Sequence, residues 1–463
     1  MITTYLSKPN YISKISILMS KKTKKGERLE RVINGLSWYK LLQLLLFILL
    51  VVVPVGCGSS SSSPTPYTPT PQTAWEEDID FLIEKLRTVH PDVLHNMSES
   101  ELSERANALF TATSILTDDE IFVEILKFLS AIGAERDGHL ALSFFVSTGY
   151  NISPLKFYQF EDGVYVIQAS PDYHHLVGAK LLGIGGKDLI DVNYLIDDIL
   201  TRDNQSSLET NRNLVYLVPQ ILQSLGIIQA GDAIDYELIL TGEVSSQNIN
   251  VQPVSASAFN LDASINLPRD SSHFYLANSE AFWMRYFEDD NVVYMKMNQV
   301  SNTSDTSTLA ALANSVLTVT QNNMVNNVIL DLRQNNGGNN QLVSDIVDFL
   351  QAPSINIPGK LLVFTDRQTF SAAGNLVYEI KHQTEALVMG VPPGGVGNQY
   401  GDTKRFDLPH SKLAVFIPSR YWTFGNQDEP VLLLEMDNIV DMTSFDYFNG
   451  HDELLSQFVT ELH

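Results

Sequence analysis

Asn327–Gly338, NVILDLRQNNGG, and Thr365–Gly374, TDRQTFSAAG, are the stretches whose reading decides the fold. In the first, the apolar run Val328-Ile329-Leu330 leads into a Gly-Gly turn, the pattern of a strand covered on both faces. The second continues the strand Leu361–Thr365 through a polar turn and sets Ser371 just before Ala372-Ala373, where a helix starts. A serine at such a strand-to-helix turn presents its hydroxyl beside free backbone N–H groups. Attack on a carbonyl needs that combination, an exposed nucleophile with donors for the developing oxyanion. Together the two segments imply a serine hydrolase.

Around this pair, Val292–Met297 reads as a strand and Leu309–Thr318 and Gln341–Leu350 as helices, so the chain from Ser271 onward is expected to form an α/β core. Residues 141 to about 240 are mostly strand-like and include the strand, Gly turn and helix pattern of Val177–Val192. Ile79, Leu82, Ile83, Leu86 and Val89 fall at helical spacing, and His90-Pro91 closes that helix. A second helix, Ile121–Ile132, leads into Glu135–Leu140, ERDGHL.

The N-terminus reads as an export segment. Lys21, Lys22, Lys24, Lys25, Arg28, Arg31 and Lys40 precede the apolar run Leu41–Val55, which stops at Gly56-Cys57. Cys57 is the only cysteine, so no internal disulfide forms, and its position predicts lipid attachment. Pro54 stands where a lipoprotein cleavage box usually has Leu, which leaves an uncleaved anchor helix as the alternative; Met19 is an alternative start. The Ser/Pro/Thr tract Ser59–Thr73 cannot build a core and is expected to act as an extended tether.

With 463 residues the chain can hold two or three domains. Its formal charge of −24 is unevenly spread: residues 1–40 hold nine Lys/Arg and two Glu, so the rest holds 21 basic and 52 acidic groups, net −31. Phosphate contacts need positive charge, so a nucleic-acid partner is not expected. There is no G-x-S-x-G elbow, no HExxH, no Cys/His cluster and no P-loop, so neither metal nor any other cofactor is expected.

DLRQNNGG, TFSAAG, the turn Met389–Gly395 (MGVPPGG) and Phe406–Leu413 (FDLPHSKL) resemble the tail-specific, or C-terminal-processing, serine peptidases, on the side of that family that includes the tricorn core. The resemblance runs from about Trp75 to the C-terminus. It implies an α/β fold, a crotonase/ClpP-like peptidase core at 270–463, with an N-terminal helical domain at 75–145 and a PDZ-like insertion at 146–245. Residues 1–57 would be the signal or anchor segment and 58–74 the linker.

Many relatives use a lysine about twenty-five residues after the serine, but Gly390–Tyr400 contains none. The tricorn-like branch takes its histidine from a segment resembling ERDGHL, which maps the base to His139; His382 and His410 are the rivals. The branch's orienting glutamate falls on Glu429 or Glu435, with Glu429 favoured, although Met436-Asp437 stands where the family has Pro-Asp. The oxyanion hole would join the Ala372 N–H to that of Gly337 or Gly338. These readings imply an exported endopeptidase, anchored in a bacterial cell envelope, that hydrolyses extended or unfolded polypeptides. The alternative is a non-catalytic envelope lipoprotein that binds peptides with a degenerate peptidase fold.

Overall fold

The computed structural model describes residues 71–463, apart from 144–148, 230, 232, 256–273, 277–279, 303–307, 425–432 and 461–463. The apolar run Leu41–Val55, Cys57 and Glu429 lie outside the described residues. Among the described residues no helix is long and apolar enough to cross a membrane.

Three helices come first: α1 (Gln72–Val89), α2 (Glu99–Ala112) and α3 (Asp118–Ile132). α1 buries Trp75, Ile79, Leu82 and Leu86 along one stripe. It ends because His90, preceding Pro91, is extended at φ −67°, ψ 133°. α3 starts at a reciprocal Thr117–Glu120 capping box and buries Ile121, Ile125, Leu129 and Ile132. α2 has no counterpart in the sequence reading, because its buried face amounts to Leu102, Ala106 and Leu109.

An antiparallel sheet follows, built on β1 (Leu155–Phe160), β2 (Gly163–Ala169), β3 (Lys180–Ile184), β4 (Ile234–Ile239) and β5 (Gln247–Val251) in that spatial order. The turn after β3 needs glycine at Gly185, where φ is +63° and a Cβ would lie 2.3 Å from the Ile227 carbonyl oxygen. Between β3 and β4 lie α4 (Leu189–Asp197), α5 (Gln205–Val215) and a short helix, Pro219–Ser224. The sequence reading of this stretch as mostly strand overlooks α5, a polar helix started by the Asn204 side chain. One continuous core joins α1–α3 to this sheet.

The second sheet has the order β6 (Phe282–Phe287), β7 (Val292–Met297), β8 (Asn327–Asp331), β9 (Leu361–Thr365), β10 (Leu387–Gly390), with Asn438–Ile439 at its edge. β6 and β7 are antiparallel; every later pair is parallel. Side chains alternate between two cores. Val293, Met295, Val328, Leu330, Leu361 and Val363 enter one, while Val292, Tyr294, Ile329, Leu362 and Phe364 meet Leu454, Leu455 and Val459 in the other. Burial on both faces explains the unbroken apolar runs. The helices α6 (Leu309–Asn322), α7 (Val343–Leu350) and α8 (Ala372–Gln383) connect these strands.

The charged residues of the DLR motif are buried. Arg333 forms a bidentate pair with Asp452 (3.0 and 2.7 Å) and also binds Asp331. Lys296 donates to the Arg333 carbonyl at 2.6 Å, and burial lowers its pKa to about 8. Arg333→Ala would leave two carboxylates buried without their partner, so chemical denaturation should show a loss of about 3–5 kcal/mol. Arg405→Ala, which breaks an exposed pair with Asp407, should cost under about 1 kcal/mol in the same measurement.

Candidate active site

Asp331 pairs with Phe364, and Thr365 with Gly390, so the loops after β8, β9 and β10 leave the sheet at one edge. Ligands of α/β sheets bind at such strand ends. The loop carrying Ser371 is laced to the loop carrying the glycines. Thr369 Oγ1 donates to the Leu332 carbonyl at 3.0 Å, and Phe370 N–H to the Asn335 carbonyl at 2.9 Å. The Asp366 carboxylate accepts the Gln334 N–H at 2.9 Å.

Ser371 is the N-cap of α8 with φ 53° and ψ −127°, a sparsely populated conformation for a residue with a Cβ. It throws the side chain outward at a sharp turn. Gly337 makes room: at φ +105°, a Cβ there would lie 2.6 Å from the Ser371 Cβ and 2.9 Å from the Ala372 nitrogen.

The loop of the candidate base, His139, comes from far away in the chain. Arg136 and Asp137 donate their N–H groups to the carbonyls of Asp203 and Arg202 at 3.0 and 3.2 Å. Gly138 N–H donates to Asp203 Oδ1 at 2.6 Å, and Tyr400 N–H to the Arg136 carbonyl at 2.8 Å. This places His139 Nε2 3.0 Å from Ser371 Oγ, with its ring stacked on Phe370 at 4.7 Å. His139 Nδ1 is enclosed without a hydrogen bond of good geometry. Burial pushes the imidazole pKa down to about 4, against the opposing pull of Asp402 and the Tyr400 carbonyl. The imidazole is therefore neutral at pH 7 and able to accept a proton.

His139, Gly338, Asn340, Ser371, Asp402 and Trp422 are among the residues lining a cleft of about 200 Å³. The other sequence candidates sit elsewhere. His382 Nδ1 contacts the Tyr378 carbonyl at 2.8 Å on its own helix, and His410 Nε2 pairs with Glu77 at 2.5 Å. Glu435 is exposed and Glu429 is not described. Asp402 lines the same cleft as His139, and its charge opposes the effect of burial on the imidazole; no sequence motif marks it, since it reaches the cleft through β11 (Gln399–Asp407), which pairs with β12 (Ala414–Trp422). Of the two glycines considered for the oxyanion hole, Gly337 has its N–H committed to Asn335 Oδ1 at 2.9 Å. Gly338 lines the cleft, and Ala372, the first residue of α8, offers one of the N–H groups that a helix start leaves unpaired.

Two solved structures of mature CPAF resemble this chain. The lactacystin complex matches with a TM-score of 0.58 at 12% identity over 83% of this chain and 97% of that one. The second matches with a TM-score of 0.54 at 12% identity over 83% and 96%. The photosystem II D1 C-terminal processing protease aligns over 81% of this chain and 94% of its own at 12% identity, with a TM-score of 0.39. The fold is that of the tail-specific serine peptidases. No protein-family profile and no curated protein sequence matches the chain.

Asp203 ties this tail-specific peptidase fold together at the base loop. Its Oδ2 is buried without a partner, as is Gln399 Oε1, and a Cβ on Gly395 would touch both, at 2.6 and 3.1 Å. Burial, with a smaller contribution from the nearby Asp137, raises the Asp203 pKa to about 8. A carboxyl whose folded pKa is raised supports stability fully below its unfolded pKa of about 4, and that support is lost as pH rises towards 8. Asp203→Asn keeps an acceptor for Gly138 and carries no charge. Its unfolding free energy relative to wild type should rise between pH 4.5 and 8.5, measured by denaturant titration at both ends.

Proposed function

We propose that this chain is an exported serine endopeptidase that cleaves extended or unfolded polypeptides. The observation that carries this reading is the 3.0 Å contact between His139 Nε2 and Ser371 Oγ at the mouth of a cleft. Ser371 Oγ attacks the scissile carbonyl while His139 takes its proton and then passes it to the leaving amine; water hydrolyses the acyl-enzyme by the same route. The N–H groups of Ala372 and Gly338 receive the oxyanion. Asp402 stabilises the imidazolium through space, taking the part that the family resemblance gave to a glutamate. In this reading residues 270–463 are a crotonase-like core, 146–245 a PDZ-like insertion, and Cys57 the lipid-bearing anchor in a bacterial envelope.

Ser371→Ala and His139→Ala should each lower peptide hydrolysis by about 10⁴-fold or more while the fold persists. His382→Ala and His410→Ala should retain activity. A serine-reactive phosphonate should label Ser371 in wild type; absence of both labelling and turnover would leave the non-catalytic peptide binder. Because the folded His139 pKa is depressed to about 4, kcat/KM should hold from neutral pH to well below 6.5 and fall only as the imidazole protonates. An acid limb centred at 6.5 would mean a solvated base. Mass spectrometry of the native N-terminus should find a lipidated Cys57; a mature chain retaining Leu41–Val55 would replace lipid anchoring by an anchor helix.

A further inference from the structure

Behind the base loop lies a second cluster that the proposed chemistry does not use. His90 at the end of α1, His95 five residues later and Asp137 on the base loop bring three donor atoms within 4.8 Å of one another. Their side chains are 0%, 4% and 0% exposed. His90 Nε2 lies 3.1 Å and His95 Nε2 3.9 Å from Asp137 Oδ2. His95 Nε2 and Asp137 Oδ1 are both buried without a hydrogen-bond partner. Leaving such groups unpaired is costly, so the pair points to something that occupies the space between them.

We propose that His90, His95 and Asp137 form a structural site for one divalent zinc-class ion. Two imidazoles and a carboxylate are a borderline donor set suited to zinc. In a tetrahedron with bonds of about 2.1 Å the ligand atoms stand ~3.4 Å apart, between the two separations observed here. His95 is already in the ligating tautomer: its Nδ1 meets the Asp92 carbonyl at 2.7 Å, which leaves the Nε2 lone pair directed inward. His90 has to change. Its Nδ1 accepts the Asp92 N–H at 3.2 Å, so Nε2 carries the proton and donates it to Asp137. On metal binding that proton moves to Nδ1, and the N–H of the exposed residue Asp92 turns to water. Water completes the coordination.

The ion would join the turn after α1 to a segment two residues from His139. Tyr400 packs its ring on both histidines, with centroids 4.7 and 4.4 Å away, and its N–H holds the Arg136 carbonyl. Loading therefore stiffens the base loop without placing metal at Ser371. The H-x4-H spacing from His90 to His95 was visible in the sequence. Two histidines alone do not mark a site, and the third ligand lies 42 positions beyond His95.

The test uses the full chain stripped with a chelator, titrated with Zn2+ by calorimetry and with Co2+ by visible absorption. One equivalent should bind, Co2+ should show the intense d–d bands of a four-coordinate site, and Zn2+ should raise the melting temperature. His95→Gln and Asp137→Asn should each weaken binding by about 100-fold or more and abolish the thermal shift. His95→Gln keeps a side-chain donor and guards against misfolding of the Asp137 variant. Absence of Zn2+ binding at about 1 mM, or binding unchanged in His95→Gln, would overturn the site and assign any uptake to surface histidines. These readouts stand apart from hydrolysis.

Discussion

The seat of Ser371 against Gly337 is the constraint on which the rest of the site depends. A residue with a Cβ held at φ 53° costs about 1–3 kcal/mol and persists only where the surroundings over-determine it. Here they do. The serine loop is hydrogen-bonded to the glycine loop at three points, and Ala372, Ala373, Leu376 and Val377 bury the first turns of α8. The parallel register of β8 and β9 delivers both loops to one edge. Gly337 is needed because only a residue without a Cβ leaves Ser371 its space.

His139 reaches the serine by a different principle. His139 sits on a short irregular loop whose backbone is held by residues 202–203 on one side and Tyr400 on the other. Three remote segments therefore assemble one imidazole. Their packing also dehydrates it, which lowers its pKa and keeps it neutral. The buried Asp203 belongs to the same packing: its Oδ1 holds the Gly138 N–H, and burial raises its pKa to about 8.

The DLR motif illustrates how a sequence signature and a chemical role diverge. Asp331 and Arg333 carry the resemblance, yet their side chains turn into the core, where Arg333 joins the sheet to Asp452 near the C-terminus. The two glycines that follow face the cleft loop instead. Recognition and reactivity lie in adjacent residues of one motif and serve different layers of the structure.

Much of the fold could be read locally. The strands β7, β8 and β9 and the helices α1, α3 and α6 follow from apolar runs, helical spacing and caps, because burial writes its period into neighbouring residues. The position of Ser371 at a helix start is legible for the same reason. Helices α2 and α5 are not, since their buried faces are too narrow to set a pattern. Among the site residues, Ser371, Gly338 and Ala372 lie in motifs, and His139 emerges only through family resemblance. Asp402, Asp203 and the His90–His95–Asp137 cluster carry no sequence mark of their association. The amino-acid sequence alone determined the strands, the turns and the place of Ser371 at a helix start, all of which depend on neighbours within a few residues. Which histidine meets that serine, and that they meet in a dehydrated pocket, was decided only by tertiary packing, because a distance of 3.0 Å across 232 positions is a property of how layers stack.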